Sequence, residues 1–538
     1  MALGNFFGKN ALAAHQILGG MTPETFEGVL GAHVVGIVFD DAAAAAREGR
    51  AAASLAVNLA ARLYPRLALA SLGSAGGPAD PLLAELTDLA RSINPDIELV
   101  HVPGAATMAV VIGETSFPGA ARTIYAGSRG WNAMISPERP RGSGDTPNPF
   151  GAGAAACFAV ANVFRSVFQA HLPEPDPDSE FALSLYDYRR DEAGEGGPGI
   201  GTDTVNLGET ILAGVGAIGN AAVWALARVP GVRGLLHLVD PQVVGLSNLQ
   251  RYVLARQEHL APAVPKVELA AEVLRAAQRA RGEDGLAVAP HPQRWGEFLR
   301  ARGDWRMERV LTAFDTKGDR IAAQASLPRR LLNAWTQLGD LGLSRHLAFG
   351  RAPCLACLYS LEPGGKSEAE LVGDAMGLPG APGNIREMLY SGAPIGEAFV
   401  REVAARRGVT SPEAVDVLLA FAGRSLREFY DEAFCGGVIL QLGGSADGEA
   451  VRAEAPMAFQ SALAGIMLAA ETVVDAGRQP DAPVPPVRTV IDLSRPLPPY
   501  LSPPAARRTD GACLCNDADY LDAYRAKYAA PAVQGAES

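Results

Sequence analysis

The sequence predicts an α/β protein built from two Rossmann-like units, and three observations predict it. Apolar strand-like runs alternate with helical stretches twice over, in the same order on either side of a turn-rich segment near residue 195. Late in each half a Pro precedes a helix of small apolar residues, NPFGAGAAACFAVANVF from Asn148 and APMAFQSALAGIMLAAETV from Ala455. A glycine pattern, Gly214, Gly216 and Gly219 in ILAGVGAIGN, opens the second half alone.

In the first half HVVGIVFDD reads as a buried strand, Ala42 to Leu63 as one Ala-rich helix, and RLALASLG, IELVHV and MAVVIG as further strands. After the boundary come the strand TILAG, a helix to about Ala227, the strand GLLHLVD, a helix from about Pro265, and the strands LAVAPH and RVLTAFD. Alternation of this kind implies a parallel sheet covered by helices. The first half carries IVFDDAAAA where a glycine loop would sit.

The 538 residues are 48% hydrophobic, enough for sizeable cores, and the net charge is −12 with no dense Lys/Arg run. That balance excludes nucleic acid or an anionic membrane as main partner, since both require a basic surface. Apolar runs such as ALAGIMLAA near Ala462 read as too short to span a bilayer, and the opening MALGNFFGKNALAAHQ does not read as a secretory leader. A cytoplasmic protein is expected. Four of the six cysteines are paired, Cys354 with Cys357 in CLAC and Cys513 with Cys515 in CLC. In a reducing compartment such pairs bind metal rather than form disulfides, and four thiolates predict a closed structural zinc site.

Gly214 permits a tight turn, Gly216 lets the backbone approach a phosphate, and Gly219 allows close packing of helix on strand. Asp240 ends the next strand 21 residues after Gly219, a spacing that suits a ribose hydroxyl. The following VDPQVVGLSNLQRYVL places Asn248, Gln250 and Arg251, and VPKVELA supplies Lys266 at the head of a helix. Two cations and an amide suit a triphosphate whose charge is neutralised while a bond breaks, so the nucleotide is read as ATP. Asp315, in LTAFDTKGDR at a strand end, is placed to hold Mg²⁺.

On these pieces, GVGAIGN, VDPQVVGLSNLQR, VPK, FDTKGDR, the CLAC pair and CGGVILQ before a small-residue helix, the chain resembles the ThiF-like adenylyltransferases, which include the ubiquitin-activating enzymes. The resemblance covers most of Glu209 to Val474. It implies that Asp240 serves the ribose, that Asn248, Arg251 and Lys266 serve the phosphates, and that Asp315 serves Mg²⁺. It also implies the reaction: the C-terminal carboxylate of a ubiquitin-like or sulfur-carrier protein attacks the α-phosphate of ATP. Such enzymes work as paired adenylation units, so the first half is expected to be the inactive member.

The expected organisation is an inactive unit over 1–195, an active unit over 196–357 resuming at 435–500, a helical insertion over 358–434, and a tail over 501–538 with the CLC pair. The insertion is similar in position to the cysteine-bearing domain of ubiquitin-activating enzymes. Cys435, ahead of two glycines and a GVIL strand, is the expected nucleophile toward the acyl adenylate, passing a thioester to a conjugating enzyme. The composition resembles that of a high-GC bacterium, which suggests an antiphage conjugation operon. A sulfur-carrier adenylyltransferase leaves the first half and the insertion without a role, a nicotinamide-dependent oxidoreductase leaves Arg251 and Lys266 without one, and a non-catalytic scaffold leaves the whole nucleotide set unused.

Overall fold

A computed structural model describes residues 7–191, 201–202, 204–359, 368–434, 437–442, 455–478, 485–508 and 513–529. The first half forms β1 (Val35–Phe39), β2 (Arg66–Ser71), β3 (Glu98–Val100), β4 (Met108–Ile112), β5 (Arg122–Arg129), β6 (Asn132–Ser136), β7 (Phe181–Ser184) and β8 (Arg190–Asp191), in the sheet order β3-β2-β1-β4-β5-β6-β7-β8. The second forms β9 (Val205–Ala213), β10 (Val232–Val239), β11 (Leu286–His291), β12 (Arg309–Thr312), β13 (Arg330–Thr336), β14 (Leu341–His346) and β15 (Arg488–Ile491), in the order β11-β10-β9-β12-β13-β14-β15.

The two orders superimpose strand for strand over the first seven positions. In each, five strands run parallel and the next ones antiparallel. The parallel strands read as unbroken apolar runs because helices cover both faces; every residue of β1 and of β4 is buried. Strand order reverses between β1 and β4 and between β9 and β12, which opens a crevice at the carboxyl edge of each sheet. The boundary drawn at residue 195 lies outside the described residues.

The small-residue helices, Phe150–Val167 and Ala458–Ala476, connect the antiparallel strands of their sheets and pack against each other. Phe164 meets Phe459 at a ring separation of 5.4 Å, and a Cβ on Gly153 would lie 2.9 Å from Ile466 and Trp224. One apolar core therefore runs through both halves. At 18 and 19 residues these helices are long and apolar enough to cross a membrane, contrary to the short runs read from sequence, yet the apolar stretch of each is wholly buried inside the protein.

The Ala42–Leu63 helix is in fact two, Asp41–Ala45 and Arg47–Ala61, because Ala46 is extended at φ −82° and ψ 136°. The glycine at Gly49 makes the bend possible: a Cβ there would lie 2.3 Å from the Ala43 carbonyl. The insertion is helical, with segments from Glu368–Ala375 to Leu426–Phe429 around a core of its own that includes Ile385, Val400, Leu418 and Phe429. The expected GVIL strand is a helical turn, Val438–Gln441. A four-residue apolar run fits either state, and here Gly437, at φ +81°, turns the chain against the backbone of Gly8 instead of offering it to a sheet.

Candidate nucleotide site

The glycine loop follows β9 and the FDTKGDR segment follows β12, so topology brings Gly214 and Asp315 to adjacent positions at the switch point. Gly214 sits at φ +92°, where its absent Cβ would meet the Ala313 carbonyl at 2.7 Å. At Gly219 a Cβ would lie 2.3 Å from the Gly214 carbonyl, so the Ala217–Leu226 helix starts only because both residues lack side chains. A Cβ on Gly216 would meet only the Tyr252 hydroxyl, at 3.5 Å.

Asp240, buried at the end of β10, accepts from the Val215 amide at 2.9 Å through one oxygen and from the Gln242 amide at 2.9 Å through the other. The glycine loop is thereby fixed to the acidic residue that follows the neighbouring strand. Lys266 heads the Lys266–Arg281 helix and is 3% exposed. Its Nζ donates to the Gln242 side-chain oxygen at 2.6 Å and to the Tyr252 hydroxyl at 3.0 Å. Burial opposes the charge on Lys266, but Tyr252 and Asp240 favour it, and the balance raises its pKa. Arg251 stands close enough to oppose that charge slightly. A buried, charged ammonium beside a glycine loop suits an anion site.

The remaining residues of the set fall into different places. Asn248 accepts from the Gly245 amide at 2.9 Å and closes the turn Leu246–Gln250. Gln250, expected at the nucleotide, is wholly buried, donates to the Pro456 carbonyl at 3.1 Å and accepts from Arg251 at 3.1 Å. From its position on the inward side of a one-turn element it holds the Arg251 guanidinium. Asp315 is exposed, and the buried Arg320 five places on donates to the Phe314 carbonyl, which sets the backbone just ahead of Asp315.

Three residues that sequence reasoning passed over complete this neighbourhood. Gln242 and Tyr252 hold Lys266, and both lie inside the quoted VDPQVVGLSNLQRYVL run, where their signal was drowned by the charged residues. Asp431, from the turn Tyr430–Phe434 at the end of the insertion, is pushed by burial up to about 6, with Asp315 adding to the shift and Arg427, Lys266 and Lys9 opposing it. No local spacing announces Asp431, since the approach spans more than a hundred residues. Cys435 lies outside the described residues.

The first half shows the opposite polarity in its own crevice. Asp40 accepts from the amides of Ala43, Glu114 and Thr115 and from the Thr115 hydroxyl. Asp41 accepts from Ser74, through both amide and hydroxyl, and from the Ala79 amide. Two carboxylates thus take the amides at the carboxyl edge of the first sheet.

Cys354, Cys357, Cys513 and Cys515 converge, all four sulfurs lying within 4.8 Å of one another. Their nearest separations run from 3.3 Å for Cys357 to Cys513 up to 3.8 Å for Cys354 to Cys357. Tetrahedral coordination with metal–sulfur bonds of about 2.3 Å puts sulfurs about 3.8 Å apart, so the four thiols fit a zinc ion. The Arg508 amide donates to the Cys357 sulfur at 3.5 Å. The following helix, Ala518–Tyr528, docks through Tyr528, which donates to the Met307 and Leu327 carbonyls, and through Lys527, which donates to that of Ser326.

Residues 38–169 match the family described as Prokaryotic E2 family C, and residues 198–315 match the ThiF family. A Sinorhizobium fredii (strain NBRC 101917 / NGR234) protein described as uncharacterized protein y4jF is 43% identical over 529 residues, 98% of this chain and 98% of its own length. Among solved structures, E. coli MccB with MccA-N7isoASN is 13% identical, with a TM-score of 0.25 over 41% of this chain and 59% of that one. The E. coli tRNA N6-threonylcarbamoyladenosine dehydratase, TcdA, is 20% identical, with a TM-score of 0.20 over 25% of this chain and 53% of that one. The chain thus spans little more than half the length of these two structures.

Proposed function

The chain carries a ThiF family domain over residues 198–315, and from that premise we propose that it uses ATP to adenylate the C-terminal carboxylate of a ubiquitin-like protein. The observation that carries the reading is Lys266, a buried ammonium held by Tyr252 and Gln242 next to Asp240 and Arg251 beside the glycine loop.

In the reaction, a carboxylate oxygen of the carrier attacks the α-phosphorus of ATP, the bond to the bridging oxygen breaks, and pyrophosphate leaves with the electron pair. Asp240 fixes the loop whose amides face the phosphates and presents its carboxylate where the ribose lies. Lys266 and Arg251 neutralise charge that grows on the phosphates as the bond breaks. Asp315 would hold Mg²⁺, which supplies further neutralisation of the leaving pyrophosphate.

The Cys435 thiolate then attacks the acyl adenylate carbonyl, AMP departs, and the thioester keeps enough energy to pass the carrier to a conjugating enzyme. The first half serves as a nucleotide-free partner. Its matched stretch, residues 38–169, holds one cysteine, Cys157, which is fully buried in the Phe150–Val167 helix and whose pKa burial pushes upward, so that stretch offers no reactive thiol. The four-cysteine cluster is a structural zinc site. The setting we favour is a bacterial conjugation pathway in antiphage defence, on the high-GC character of the composition.

The test is exchange of labelled pyrophosphate into ATP with candidate ubiquitin-like proteins. Exchange is expected with a free carrier C-terminus and lost when that terminus is amidated; no exchange with any candidate counts against the reading. Cys435→Ala is expected to keep exchange and lose the reductant-sensitive complex with the carrier, and persistence of that complex puts the nucleophile elsewhere.

A further inference from the structure

The segment from Leu246 to Ala255 carries Asn248, Gln250, Arg251 and Tyr252, yet it is one short turn followed by irregular chain. What fixes it comes from the other half of the protein. Arg62, at the end of the Arg47–Ala61 helix, is 1% exposed and reaches across the interface between the halves. Its Nη1 donates to the Leu249 carbonyl at 2.5 Å, its Nη2 to the Ala255 carbonyl at 2.9 Å, and its Nε to the Asn58 side-chain oxygen at 2.9 Å. Asn58, one turn earlier, donates its Nδ2 to the Val253 carbonyl at 2.9 Å. The Arg62 carbonyl in turn accepts from Asn10 of the N-terminal helix at 2.6 Å.

Among the described residues no carboxylate pairs with Arg62; burial lowers its pKa to about 9, and Arg256 nearby adds to the shift. A guanidinium buried without a counter-charge is costly to keep and is satisfied here by carbonyl and amide oxygens alone. The three backbone carbonyls it and Asn58 engage bracket Arg251 and Tyr252 in sequence. Without these donors, buried carbonyls would lose their partners and the segment would relax. The fork of guanidinium N–H groups also spans diverging carbonyls in a way a lysine ammonium does not.

We propose that Asn58 and Arg62 are positioning residues of the nucleotide site: by holding the carbonyls of Leu249, Val253 and Ala255 they fix Arg251 and Tyr252 relative to Lys266, so the first half sets the phosphate-binding geometry of the second. The proposal rests on the ATP reading above. Its consequence is selective. The ribose end of a nucleotide depends on Asp240, which belongs to β10 and the glycine loop, whereas the outer phosphates depend on the segment that Arg62 holds.

The experiment is calorimetric titration of the full chain with Mg·ATP and, separately, with AMP, for the wild type, Arg62→Lys, Asn58→Leu and Arg251→Ala, with circular dichroism to establish folding. Arg62→Lys is expected to weaken ATP about tenfold or more while AMP affinity stays within about twofold, and Asn58→Leu to act in the same direction more weakly. ATP affinity within about twofold of wild type in both folded variants overturns the proposal, as does an equal loss of ATP and AMP, the mark of a merely structural role. If Arg62→Lys does not fold, Asn58→Leu decides alone, since it removes one bond from the same segment. A wild type that binds no ATP, or an Arg251→Ala variant that binds it unchanged, overturns the nucleotide reading itself and is thereby distinguishable.

Discussion

The Nζ of Lys266 lies 3.0 Å from the Tyr252 hydroxyl, and that hydroxyl lies 3.5 Å from where a Cβ of Gly216 would sit. A cation from a helix start, a phenol from a loop and the backbone of the glycine turn therefore meet in one place. Lys266→Ala or Arg251→Ala is expected to slow pyrophosphate exchange about a hundredfold, the scale of removing one preorganised charge-stabilising group. Asp315→Ala is expected to abolish it. Unchanged exchange in the Asp315 variant would refute the metal-holding role.

The two crevices should differ in occupancy. In the second half the buried ammonium of Lys266 lies beside Tyr252 and the glycine loop, whereas in the first half Asp40 and Asp41 engage the local amides and add negative charge with no such cation described beside them. Hydrogen bonds from Ser74 and Ala79 hold the Asp41 pKa below its ordinary value, which favours the charged carboxylate. Equilibrium titration with Mg·ATP is expected to give one site per chain, removed by Lys266→Ala and unaffected by Asp41→Asn. Two sites per chain would contradict this.

The sulfur cluster joins residues more than 150 positions apart and anchors the segment leading into the Ala518–Tyr528 helix. Purified protein is expected to carry about one equivalent of zinc, and Cys513→Ser to lower both the metal content and the apparent Tm. Metal-free protein from elemental analysis, with full stability, would dispose of the site.

His346 is buried, with its ring nitrogens 2.8 Å from the Pro353 carbonyl and 3.0 Å from the Ser344 hydroxyl. Burial lowers its pKa to about 4, against an ordinary value of 6.5. Because the unfolded chain takes up this proton first, its contribution is intact above pH 6.5 and declines as pH falls toward 4, by about 3 kcal/mol in all. His346→Gln keeps hydrogen-bonding capacity without the titration. The fall in Tm between pH 6.5 and 4 should be shallower in that variant, and an identical profile would assign the acid sensitivity to other groups.

Much of this protein is written locally. The period of the strands, the small-residue helices, the glycine turn at Gly214 and Gly219 and the two cysteine pairs are set by short-range steric and solvation preferences, and each is legible within a window of about twenty residues. The two α/β halves, the glycine loop and the candidates Asp240, Lys266 and Asp315 were therefore legible along the chain. What depends on long loops closing emerges only in the folded chain: the approach of Asp431 to Asp315 and Lys266, the inward turn of Gln250, and the reach of Arg62 from the first half to the carbonyls of Leu249 and Ala255. Such contacts join residues up to about two hundred positions apart, and the partners of Gln250 and Arg62 are backbone carbonyls, which every residue possesses, so no side-chain pattern along the chain marks them.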